Sequence, residues 1–263
     1  MKSIITVLIC ILPALTGSSQ EAEFQVQLTP VSVPVLGGIQ SFAFAQHNGK
    51  WLLLGGRLDG LHQRQPFASF DLAGHNNQLI VVDPVTKQSW SKSISSLPTA
   101  IQDQVKSTNA EFFQEGNYLY LVGGYGYSSS ASDHTTFDNL TAIDVPSAIS
   151  AVMNNTSITG LFRQISDPKF QVTGGRLEKI YDTYYLVGGQ KFIGRYNPMG
   201  PTHGPGFVQE YTNEIRKFKI NDYGTALSVT HTEVWRDTNN LHRRDYNVTP
   251  QIMPNGQEGL TAF

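Results

Sequence analysis

The chain has 263 residues, a formal net charge of −2 and only 15% charged residues. That length suits one large domain or two small ones with a sizeable core. The charge leaves no polyanion-binding surface, since the basic clusters Ile-Arg-Lys-Phe-Lys at 215–219 and His-Arg-Arg at 242–244 are short, so no nucleic-acid partner is expected.

In chain order, the first element is a leader. Lys2 precedes an apolar stretch over residues 4–15, followed by Thr16, Gly17, Ser18 and Ser19. A short cationic start, about a dozen apolar residues and small residues at a cleavage point describe a secretory signal peptide over 1–19. The run is too short to span a bilayer, which needs about 20 residues, so no integral membrane segment is expected after cleavage. The sole cysteine, Cys10, leaves with the leader. A secreted product (extracellular, periplasmic or cell-surface) would then hold no disulfide, no Cys-ligated metal and no thiol nucleophile. Residues 20–37 follow, and within them 24–31 alternate apolar and polar residues as a candidate strand.

Three similar units come next. Each holds a strand, a tight turn, an aromatic-aliphatic strand and a Gly-Gly pair: Gly55-Gly56, Gly123-Gly124 and Gly188-Gly189. The two residues before each pair are Leu53-Leu54, Leu121-Val122 and Leu186-Val187. The turns are Asn48-Gly49, Gly116-Asn117 and Tyr181-Asp182, types that mostly tolerate positive φ. Upstream strands are expected over 40–46, 109–115 and 175–181. Third strands are expected over 77–84, 138–145 and 213–220. Fourth strands run through Trp90, over 160–165 and over 227–235. Four-stranded units repeated about every 65 residues predict an all-β fold of propeller blades. Their glycines sit where the chain turns sharply and backbones come close.

Gly-Gly, then an apolar strand, then Asp83 and Trp90 resembles the kelch repeat, of the secreted bacterial type. The resemblance implies a kelch-type β-propeller with blade 1 over 38–106, blade 2 over 107–169 and blade 3 over 170–243. Residues 244–263 would be the first strand of an incomplete fourth blade. It also implies that residues 20–37 hold a ring-closing strand. An open blade face would expose about six large apolar side chains at roughly 1.5–3 kcal/mol each, a sum of the order of a whole domain's stability. The expected partners are therefore the remaining blades of a longer chain, or a second copy.

The long connections fall at 57–76, 125–137 and 190–212, all at one end of the sheets, where loops on a rigid scaffold carry recognition. Candidate ligand-binding residues there are Arg57, Asp59, His62, Arg64, His134, Arg195, His203, His242 and Arg243, with His75, Asp133 and Tyr196 beside them. No His-x-His or His-x-x-x-His spacing occurs among them, so neither metal nor cofactor is expected. Among kelch-type enzymes, the galactose oxidase family uses copper and a cysteine-tyrosine cross-link, which a chain without mature cysteine cannot make. The sialidase Ser-x-Asp-x-Gly-x-x-Trp box is missing, as are Gly-x-Ser-x-Gly and His-Glu-x-x-His. The expectation is a protein- or glycan-binding scaffold using the long-loop face. The alternative is a mutarotase- or epimerase-like carbohydrate-active enzyme with acid-base residues on that face. Asn139, Asn154, Asn155 and Asn247 stand in Asn-x-Ser/Thr triplets, and residues 152–160 read as an exposed loop.

Overall fold

Antiparallel four-stranded meanders dominate the computed structural model, which describes residues 25–34, 36–60, 69–196 and 206–263. The first meander is β1 (Ala43–His47), β2 (Lys50–Leu54), β3 (Gln78–Asp83) and β4 (Gln88–Ser93). A helix, α1 (Thr99–Val105), leads to β5 (Glu111–Glu115) and β6 (Tyr118–Val122). The hairpin β7 (Tyr125–Ser128) and β8 (Asp133–Thr136) intervenes before β9 (Asn139–Asp144). After α2 (Val145–Met153), β10 (Phe162–Ser166) completes the second meander in the order β5-β6-β9-β10. The third begins with β11 (Arg176–Ile180) and β12 (Thr183–Val187). It is interrupted by β13 (Gln190–Ile193) and β14 (Val208–Tyr211), then resumes with β15 (Glu214–Asp222) and β16 (Leu227–Arg236). A hairpin, β17 (Val248–Ile252) and β18 (Glu258–Ala262), ends the described chain.

Turn chemistry explains the first hairpins. Asn48 and Gly49 sit at φ of 48° and 75°, and Gly116 at 56°. Tyr181 takes 52°, an uncommon value for a bulky residue. Strand alternation then sorts the side chains. Ala45, Leu52, Leu54, Leu79 and Val81 of the first sheet are buried in one cluster with Leu119 and Leu121 of the second. The opposite face of the second sheet, with Tyr120, Val122, Leu140 and Ala142, shares a cluster with Leu177, Tyr184, Leu186 and Phe218 of the third. Val187 of the third sheet packs with Leu241 and Val248. Each of the larger side chains among these, from Val upward, contributes about 1.5–3 kcal/mol on burial.

A row of backbone hydrogen bonds ties the units together. Ser41, Asn109, Gly174 and Asp245 precede the first strand of each unit and have φ of 54°, 51°, 68° and 59°. The Asn109 N–H donates to the Ser41 carbonyl at 3.1 Å, Gly174 to Asn109 at 3.1 Å, and Asp245 to Gly174 at 2.6 Å. The Gly-Gly pairs permit this closeness. A Cβ on Gly123, whose φ is +64°, would lie 2.0 Å from the Val172 carbonyl oxygen of the next unit. Meanders side by side, with their first strands in a row, are consistent with a propeller-like, all-β fold.

Several elements differ from expectation. The connections at 125–137 and 190–212 carry strands, and β14-β13-β8-β7 form a fourth four-stranded sheet joined through an Ile193–Thr135 pair. Alternation in Tyr125-Gly126-Tyr127-Ser128 supports this once a neighbouring hairpin offers an edge. Val145, Ala148, Ile149 and Val152 recur at helical spacing, so α2 forms and lays those residues into the first core cluster. Residues 152–160 are thus not all loop, and Ile158 is fully buried. Residues 244–263 hold two strands rather than one, because Asn255-Gly256 turns the chain, with Gly256 at φ 78°. The chain divides into two compact units, residues 1–31 and 32–263. In the first, the described residues 25–31 of the candidate closing strand are irregular, and Val26, Leu28 and Val31 are exposed; a lone strand satisfies its amides only against a neighbour's edge. The leader 1–19 lies outside the described residues. No helix among the described residues is long and apolar enough to cross a membrane.

Candidate binding cleft at the loop end of the sheets

The residue after each Gly-Gly pair returns to pair with a residue just ahead of the first strand of its own unit: Arg57 with Gln40, Tyr125 with Thr108 and Gln190 with Thr173. These bridges fix the floor of the loop end beside the backbone row. A cleft of about 70 Å³ opens there, lined by Asn109, Thr173, Gly174, Gln190, Arg244 and Asp245 on the floor and by Phe70, Tyr125, Phe192 and Tyr196 above. The rings meet edge to face: Phe70 and Tyr125 at 5.1 Å, Phe70 and Tyr196 at 6.1 Å, Tyr125 and Phe192 at 5.2 Å between centroids.

Arg57 is buried. It donates from Nε to Asp59 at 2.9 Å and from Nη2 to the Asp71 carbonyl at 2.9 Å, and its guanidinium lies 5.3 Å from the centre of the Phe70 ring. This pairing holds the Asp59 carboxyl below its ordinary range. His134, also buried, joins its Nε2 to the Phe70 carbonyl at 3.0 Å. A carbonyl only accepts, so that nitrogen carries the proton. Burial lowers the His134 pKa and, with neighbouring Arg57, His134 and Lys106, pushes His75 down to about 4; both imidazoles are therefore neutral at pH 7. Among the described residues, no group meets hydrogen-bond geometry at either His75 ring nitrogen or at Arg57 Nη1. Arg195 donates from Nε to the Ser69 carbonyl at 2.6 Å.

Arg57, Asp59, His134 and Arg195 are thus brought around the cleft's aromatic wall. They act as its supports, and none lines the cleft itself. His242 bonds Asn213 at 2.9 Å and packs at a tilt against Tyr211, and Arg243 is exposed; neither lines the cleft. His62, Arg64 and His203 lie outside the described residues. Of the lining residues, sequence reasoning singled out only Tyr196; it missed Phe70, Tyr125, Phe192, Arg244 and Asp245, and the floor residues Asn109, Thr173, Gly174 and Gln190. The usable signal was position: Tyr125 and Gln190 each follow a Gly-Gly pair, where a bridge ties them beside the cleft. Among the described residues, no group of three or more His, Cys, Asp or Glu could hold a metal ion.

No family model matches the chain, and no curated protein matches it. Among solved structures it is similar to one titled "Structure of YjhT", with 13% identity and a TM-score of 0.45 over 86% of this chain. The chain spans 66% of that protein's length.

Proposed function

We propose that this chain is a secreted kelch-type propeller module that binds a glycan in the cleft at its loop end. On this reading the three meanders are blades and β17–β18 begins a fourth. Further blades of a longer chain, or a second copy, would complete the ring. The observation that carries the reading is the cleft itself, a small concave site with four aromatic rings over a floor of amide, hydroxyl and charged groups. Apolar walls with a few placed polar groups suit one sugar ring, whereas a protein surface needs about 800 Å² on each side.

Screening the protein on a glycan array tests this. Binding to a defined glycan set, lost in Tyr196→Ala, supports the reading; a silent array, or binding untouched by that change, refutes it. The alternative, a mutarotase- or epimerase-like carbohydrate-active enzyme, draws on Asp245 in the floor as the acid-base group, with Arg244 as a fixed cation beside it. Conversion of a bound sugar followed by NMR, abolished by Asp245→Asn, would favour it.

A further inference from the structure

The two walls of the cleft come from different units: Phe70 from the connection of the first sheet, Phe192 and Tyr196 from that of the third. Between them stands the β7–β8 hairpin of the second. Tyr125 on β7 donates its hydroxyl proton to the Gly194 carbonyl at 2.7 Å and accepts the Tyr196 N–H at 3.1 Å. His134 on β8 donates to the Phe70 carbonyl. The circuit is closed across the top, where the Ser69 hydroxyl bonds the Tyr196 carbonyl and Arg195 bonds the Ser69 carbonyl. Two segments far apart in sequence are therefore held by one hairpin and by each other.

From this circuit we infer that Tyr125 and His134 are positioning residues, which set the spacing of the two aromatic walls so that both segments order and release as a single unit. The inference concerns the cleft proposed above as a glycan site, yet its test needs no ligand. The Tyr125 ring also packs against Phe70, His134 and Phe192. Tyr125→Phe keeps those contacts and removes only the hydroxyl, which separates positioning from packing. Fixed walls would bind without paying for ordering, the general advantage of a pre-organised site.

Amide hydrogen exchange on the full chain tests the coupling. Tyr125→Phe should speed exchange at least several-fold in the peptides containing 194–196 and in those containing 69–76, with exchange in β5, β6, β11 and β12 unchanged. His134→Leu should release both segments as well. His134→Gln, whose side-chain amide can still donate to the Phe70 carbonyl, should restore protection. Faster exchange at 194–196 alone would overturn the inference, as would unchanged exchange at both segments or a His134→Gln variant no better than His134→Leu. If Tyr125→Phe loosens the whole protein, the His134 pair decides.

Discussion

Gly123 shows how one residue type serves two demands. Its φ of +64° is one that a side chain tolerates poorly, and the next unit's carbonyl occupies the place a Cβ would take. Gly160 has a similar φ, +88°, but nothing within 4 Å of its ideal Cβ. Gly160→Ala should therefore cost only the backbone term, ~1–2 kcal/mol, while Gly123→Ala should cost roughly 3 kcal/mol or more, since the clash adds to the strain. Urea unfolding of both variants checks the difference. The buried imidazoles make a second residue-scale prediction. His75 falls from an ordinary 6.5 to about 4 on folding, so its contribution is complete above 6.5 and is lost as pH drops toward 4. Thermal melts from pH 8 to pH 4 should show stability declining through that window. His75→Phe should flatten part of the decline, with His134, shifted in the same direction, retaining the rest.

Among the elements, α2 carries its own signals in the sequence. Its apolar residues follow the 3.6-residue period, and Asp144 caps it by accepting the Ser147 N–H at 3.1 Å, with a proline in its first turn. The helix sits between the third and fourth strands of its unit, where the four-stranded repeat predicts only a connection. Asp144→Ala should destabilise the protein by about 1 kcal/mol, read from denaturant midpoints. The strands of the meanders were visible because alternation, turn residues and Gly-Gly pairs are local signals. The fourth sheet was not, because β8 and β13 meet through tertiary proximity and each hairpin alone is only marginally stable. The same reason hid half of the cleft. Arg57, Asp59, His134 and Arg195 were found as polar residues in long connections, whereas the lining aromatics Phe70, Tyr125 and Phe192 resembled ordinary core residues until the connections folded over the floor.

At the scale of the molecule, the fold follows from stacking meanders by their flat faces while keeping their first strands in one row. Each core cluster joins neighbouring units, so a unit hides its apolar faces only against its neighbours. Three members of that row, Asn109, Gly174 and Asp245, form part of the cleft's floor, where connections of neighbouring units converge. If the row were absent, Asn109, Gly174 and Asp245 would share no floor, and the proposed glycan site would have no geometry. Nuclear Overhauser spectroscopy on the deuterated, amide-protonated protein examines the row directly. The account predicts cross-unit contacts from the Asn109 amide to residue 42, from Gly174 to Ala110 and from Asp245 to Gly175, with all three donor amides protected from exchange. Rapid exchange at these amides, with cross-peaks pairing the flat faces of one continuous two-sheet sandwich, would contradict it.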